Sequence, residues 1–549
     1  MRISRRILRT VIVAFAIPAI AVSAVTADDA GEPLAPTLEG LGDLHYAITT
    51  SSVAAQRFFD QGLRLVYAFN HAEAIRAFEE ASRLDPEAPM PHWGKALALG
   101  RNLNDSMPRE RELQALESLK QAQGRSDNAS KREQALIDAL ASRYSTDDDA
   151  DRATMDAAWV EAIGKVAERF PDDPEPATLH AAAIMNTMPW DYWRGGKPQP
   201  GTLVAKELLE RVIAAHPDHP GAHHYYIHLM EAREPQLAEP SADALGKLMP
   251  AAGHLVHMPA HIYIRVGRYD DAVTSNQRAI AADVDYIAQC NAQGLYAVGY
   301  YPHNIHFLWA SATFGGRAEL AIETADHLAD EVPVELAPAL PFLQNYLATP
   351  LFARVRFGRW QEVLDTPRPP AGQTFQTAMW HYAQGLALAA GGDPRGARRH
   401  LKALGKLRRS TELAELSISF ATGSDLVRLT EHLLAGEIQA TRGRMGRAID
   451  EMRSAVTLQD SFRYAEPPSF HYPVRQSLGA VLLEAGRASE AEAVYRRDLE
   501  HNPHNGWSLF GLAQALRAQE RNQEANEVHK RFVEAWQSAD VEPEASVFR

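Results

Sequence analysis

Eight of the 22 histidines fall between residues 223 and 306, and their spacing suits metal chemistry. In "GHLVHMPAHIYIRVGRYDDA" (Gly253–Ala272), His254, His257 and His261 are 3 and 4 residues apart. On a helix that confines them to one stripe about 60° wide. "GAHHYYIHLMEA" repeats the device with His224, His228 and Glu231, and "YYPHNIHFLWASATFGGR" offers His303 and His306. Imidazole nitrogens and a carboxylate at such spacings suit zinc, iron, copper or nickel. His254 and His261 would stand roughly 10 Å apart along a helix axis, so no single ion takes every histidine of one helix. His257 and His261, joined by His224 or His228 and by His303 or His306, make a more compact ligand set. The other histidines would then serve a second ion or hold the first set from behind. Two further chemistries fit the same residues: a groove binding an anionic or aromatic ligand through imidazoles, and helix–helix hydrogen bonding with no ligand. Pro259 complicates the stripe, because inside a helix it removes a hydrogen bond and kinks the axis. A helix beginning at Pro259 would leave His254 and His257 on a loop.

For three such stripes to converge, the chain must lay successive helices side by side, about 8–10 Å apart. Its internal repeats supply such helices. "HYPVRQSLGAVLLEAGRASEAEAVYRRDLEHNP" (His471–Pro503) carries Leu478-Gly479, Gly486, Ala491, Tyr495 and a closing proline. Ala525 follows Ala491 by 34 residues, and Leu512-Ala513 matches Leu478-Gly479. Gly or Ala is needed where two antiparallel helices approach closely. Similar joints recur with Ala74 and Phe78, Gly267 and Ala272, Gly316 and Ala321, Gly358 and Trp360, Gly392 and Ala397, and Gly443 and Ala448. This pattern resembles the tetratricopeptide repeat (TPR). The resemblance covers most of Gln56–Trp536 in about nine or ten helix pairs, strongest in the last third and loosest between Leu103 and Gly221. Sustained alternation and Asn-Gly hairpins are lacking, so the expected fold is all-α, a superhelical solenoid of antiparallel helix pairs. The resemblance implies that the first helix of each pair lines a concave groove, with the histidines facing it. It also implies a protein or peptide partner in that groove.

The expected layout is a linker at 28–53, first repeats at 54–130, and divergent repeats at 131–220. His-rich central repeats follow at 221–340, and C-terminal repeats at 341–540. Within the divergent part, the Pro/Gly-rich loop 186–201 carries Trp190, Tyr192 and Trp193. Such a loop packs on a neighbour or forms a lid over a site. Trp190, Trp193, Tyr225 and Tyr263 are the expected groove residues around the histidines. His92, His381 and His471, each beside an aromatic residue, are read as packing residues. No phosphate-cradling loop, Gly-x-Ser-x-Gly elbow, His-Glu-x-x-His or haem-attachment cysteine pair is present.

Residues 1–27 read as a secretory signal: Arg2, Arg5, Arg6 and Arg9 precede the apolar run Val11–Val22 and a small-residue cleavage site. The Sec route fits better than the twin-arginine one, because Leu8 and Arg9 suit the latter poorly. Removing the four arginines would take the net charge from −14 to −18, which argues against nucleic acid and anionic membrane surfaces. A periplasmic or secreted protein with no stable membrane insertion is expected. The one cysteine, Cys290, cannot form an internal disulfide and reads as a small buried residue. Two functions fit these residues: an exported TPR binding protein with a zinc, iron or copper ion in its groove, and a metal-dependent hydrolase or oxidoreductase on that scaffold. A metal-free peptide-binding scaffold is a third.

Overall fold

The computed structural model describes residues 33–290 and 296–549; the expected export signal lies outside the described residues. Among these the chain is an all-α solenoid of antiparallel helix pairs, with two pairs of two-residue strands as the exception. The joints explain the regularity. After the Pro259–Val266 helix, Gly267 takes φ 84°, a left-handed turn that sends the chain back into Tyr269–Cys290 and that a side chain would disfavour. Gly316, Gly358, Gly392, Gly443 and Gly486 occupy the same place, two residues before the second helix of their pairs. The first joint departs from this. Phe69 stands there with φ 58°, a conformation that costs a non-glycine residue about 1–2 kcal/mol.

Glycine also lets helices close on large rings. A Cβ on Gly479 or Gly511 would lie 2.3 Å from the Tyr495 ring, so only hydrogen fits there. The side chains bury two large apolar cores, one running from Leu41 to Phe314 and one from Val273 to Val547. They meet at the Tyr269–Cys290 and Tyr301–Phe314 helices, beside the histidines.

Three irregular segments bear on the site. Residues 33–52, expected as a linker, lack helix but are pinned: Leu38 N–H donates to Gln61 (2.9 Å) and Thr49 N–H to Glu133 (2.6 Å). The aromatic loop closes as a small hairpin pairing Trp193–Arg194 with Lys197–Pro198. Beyond the Asn522–Ala535 helix, Val541–Arg549 folds back over the first helices of the C-terminal repeats. There Arg549 pairs with Glu437 (2.8 Å), Ser546 donates to the Gln476 carbonyl (2.8 Å), and Phe548 meets Trp507 edge-on (5.9 Å). No helix among the described residues is long and apolar enough to cross a membrane.

Candidate metal centre

Three successive first helices carry the histidines. Pro220–Met230 holds His224 and His228, with Glu231 next in chain. Gly253–His257 and Pro259–Val266 are consecutive short helices, because Met258 between them keeps helical angles (φ −50°, ψ −36°). Pro259 stands at the first position of its helix, where a missing N–H costs least. His254 and His257 therefore stay on a helix. Gly253 brings that helix against Asp283, since a Cβ at Gly253 would fall 1.8 Å from the Asp283 carboxylate. Asp283 also accepts from Tyr296 (2.6 Å) and Asn304 (2.7 Å), and so braces the elements carrying His254, His257 and His303.

The side chains converge in three groups: His224, His228 and His254; His257, His261 and His303; and His228, Glu231 and His261. In each the donor atoms lie within 4.8 Å of one another, close enough to hold a metal ion. The imidazoles are held from behind in a consistent way. His224 Nδ1–H donates to the Tyr67 carbonyl (2.7 Å), and His261 Nδ1–H to Glu231 Oε2 (2.6 Å). His257 Nδ1–H donates to Asn276 Oδ1 (2.6 Å). The Asn276 amide is itself oriented, because its Nδ2 donates to the Ala272 carbonyl (2.8 Å). With each Nδ1 carrying the proton, the Nε2 lone pairs turn inward. The Nε2 atoms of His257 and His261 then face each other at 2.8 Å. Two lone pairs at that distance repel unless a proton or a metal ion lies between them.

Electrostatics keep these rings in their ligating form. Burial holds His224, His254, His257 and His303 well below the usual imidazole range, and neighbouring imidazoles add to it. They are neutral at pH 7, the form that binds metals. Burial works to raise the pKa of Glu231, but His261 and His228 outweigh it and hold the carboxylate below its ordinary range.

Not every expected residue joins the groups. His306 lies outside them, stacked on Trp309 (5.1 Å between ring centres) and against Tyr346, and burial pushes its pKa down to about 3. Tyr225 packs against Tyr67 and stacks on His224, supporting the histidines without facing the cavity. Tyr263 bonds Asp243 (2.7 Å) under the Arg268 guanidinium, away from them. Trp193 is tied by its indole N–H to the Leu229 carbonyl (2.7 Å), which anchors the aromatic loop. Burial and adjacent Glu73 push the Cys290 thiol up to about 12, so it is a poor nucleophile.

A cavity of about 260 Å³ opens on the centre, lined by His228, His254, His261 and His303 and roofed by Trp190 and Phe420. Trp190 stands edge-on to His228 (5.0 Å) and touches Phe420 (6.4 Å). The aromatic loop thus places Trp190 against His228 at the mouth of the cavity. Two lining residues present buried oxygens with no partner: the Tyr300 hydroxyl and Glu466 Oε2. Burial lifts the Glu466 pKa to about 7. Sequence reasoning missed Asn276, Phe69, Tyr300 and Glu466. They reach the site from a second helix, a joint and irregular segments, where no local period marks them.

The tetratricopeptide repeat family profile matches residues 59–105 and 477–540. These two stretches are tetratricopeptide repeats, and helix pairs of the same kind run through the described residues between them. No curated protein matches it by sequence. Solved structures similar to it include the human IFIT1 dimer with m7Gppp-AAAA, 13% identical, covering 88% of this chain and 90% of that one at a TM-score of 0.30. The Cut9–Hcn1 hetero-tetramer of APC/C is 12% identical, covering 87% and 76% at 0.29. Naa15/Naa10 bound to HypK is 12% identical, covering 88% and 71% at 0.21.

Proposed function

We propose that this is an exported TPR protein that binds a transition metal ion, zinc, iron or copper, through His257, His261 and His303. The ion would act on a small molecule held in the adjoining cavity. One observation carries the metal reading: the Nε2 atoms of His257 and His261 face at 2.8 Å while Asn276 and Glu231 engage both Nδ1 protons. Protonating either ring would resolve the clash, but burial opposes a charged His257. A cation resolves it and needs only a small parting of the rings, to about 3.4 Å for a tetrahedral shell with bonds of about 2.0–2.1 Å.

The cavity supports a metal-dependent enzyme over a display scaffold. It is small, flanked by Trp190, and supplied with two unpartnered oxygens at Tyr300 and Glu466, features of a site for a small polar molecule. A peptide-binding role has less room, since Val541–Arg549 already lies across the C-terminal first helices.

The test is to express the full chain with its own N-terminus, isolate it untagged from the periplasm, and measure bound metals by elemental mass spectrometry. The expected result is stoichiometric metal in the wild type, lost in His257→Ala/His261→Ala with helicity retained, and a mature N-terminus near Asp28. Metal content unaffected by the double substitution would end the metal reading, and cytoplasmic retention would end the export reading.

A further inference from the structure

We infer that the protein holds a second ion, in the trio His224, His228 and His254, so that the centre is dinuclear with Glu231 between its halves. This rests on the metal reading above and extends it to imidazoles which that reading leaves unused. The first argument is orphaned polarity. All three residues are at most 2% exposed. His224 turns an Nε2 lone pair inward, toward His254 Nε2 (3.1 Å), because Tyr67 takes its Nδ1 proton. His228 Nε2 and His254 Nδ1 are buried with no partner. A buried polar atom left unpaired costs about 1–3 kcal/mol, and an ion among these rings removes most of that cost.

The second argument is continuity. Ring centres are 4.9 Å apart for His224/His228 and His224/His254, against 4.8 Å for His257/His261 and His257/His303. Between the trios, His228 and His261 are 5.7 Å apart, and His254 and His257 6.0 Å. One carboxylate serves both: Glu231 Oε1 faces His228 Nδ1 (3.5 Å) while Oε2 accepts from His261 Nδ1 (2.6 Å). It orients one imidazole of each trio and supplies the negative charge between two cations.

The third argument is strain. Phe69 holds φ 58° where most joints place glycine, and its ring lies 4.5 Å from His224 and 5.4 Å from His254. The left-handed backbone aims an aromatic wall at this trio. Because His228, His254, His261 and His303 all line the cavity, a molecule entering it meets both halves. The substrate class is therefore a small molecule with oxygen donors that can bridge two metal ions.

The experiment loads the metal-free full chain separately with Zn(II), with Fe(II) under anaerobic conditions and with Cu(I), and counts bound equivalents after gel filtration. For at least one metal, the wild type should retain two equivalents. His224→Ala/His254→Ala should retain one, and His257→Ala/His303→Ala should also retain one, with unchanged far-ultraviolet circular dichroism. His224→Gln/His254→Gln serves the same purpose should the alanine pair unfold. One equivalent in the wild type refutes the second ion and leaves the first standing. Two equivalents in the folded His224/His254 variants place the second ion elsewhere and refute the assignment. No binding of any of the three metals removes both readings together.

Discussion

His257 and His471 sit in equivalent surroundings by most measures. Both are buried, at 0% and 6% exposure, and burial pushes both well below the usual imidazole range. Their partners differ. His471, in the C-terminal repeats, lies flat on Phe352 (4.6 Å, 8°) with Phe470 and Tyr472 at its edges, and neither ring nitrogen has a partner. His257, in the central repeats, has Nδ1 pinned by Asn276 and two other imidazoles within 4.8 Å. Depth and low basicity therefore do not define a metal site. Convergence of several imidazoles marks the candidate site, and a pinned Nδ1, as in His257, then fixes the tautomer that would ligate. The same solenoid packs histidine as an aromatic filler in one half and gathers it into candidate ligand groups in the other.

The contrast breaks most sharply by exchanging the two residues' fates. His257→Ala should lower metal affinity by at least about 100-fold, as removing a ligand costs more than removing the group behind it. His471→Phe should leave metal content unchanged and hold stability within about 1 kcal/mol, since it removes two unpartnered nitrogens from an aromatic box. Chelator competition and thermal unfolding read the two effects. Metal loss in His471→Phe, or none in His257→Ala, would erase the distinction.

A finer version leaves the ligand in place. Asn276→Ala deprives His257 of its acceptor and frees its tautomer, so affinity should fall about 10–100-fold while the metal-free fold persists. Chelator competition again measures it. A matching change in the other half, Phe548→Ala, removes a half-buried ring from Trp507. It should cost about 1–2 kcal/mol of stability, below a full core truncation, and leave metal affinity alone.

How much of this was legible in the sequence depended on whether a residue's role follows a local period. The joints at Gly267, Gly316 and Gly486 did, because a left-handed turn asks for glycine wherever it falls. The stripes at His224/His228 and His254/His257/His261 did as well, since helical spacing alone aligns them. His306 shares the spacing, yet Trp309 and Tyr346 hold it to one side while His303 meets His257. Spacing selects a face and leaves packing to choose which residue on that face reaches the neighbour. Asn276, the Tyr67 carbonyl and Glu466 come from elements that follow no histidine pattern, so only the folded chain brings them in. Phe69 was not legible either, because the role of its ring follows from a contact more than 150 residues away in sequence.

Asp283 offers the smallest effect and tests whether the brace beneath the central site is as specific as the site. Burial raises its pKa to about 7 in the folded chain, against about 3.9 unfolded. A carboxyl raised on folding contributes stability that is fully present below the unfolded value. That contribution falls as pH rises through about 4 to 7 and is gone once the folded form also ionises. Between pH 6 and pH 8 the loss amounts to about 1.4 kcal/mol. Asp283→Asn removes the titration and keeps the geometry, because the unpartnered Asn304 Oδ1 can turn to accept from the new amide. Denaturant unfolding of metal-free wild type and variant at the two pH values should show the variant gaining on the wild type by about that amount at pH 8. An equal response in both would mean that Asp283 is already ionised at pH 6 and that Tyr296 and Asn304 bind a carboxylate. The histidine helices would then rest on a buried charge whose removal weakens the metal centre, instead of a neutral hydrogen-bonded hub indifferent to it.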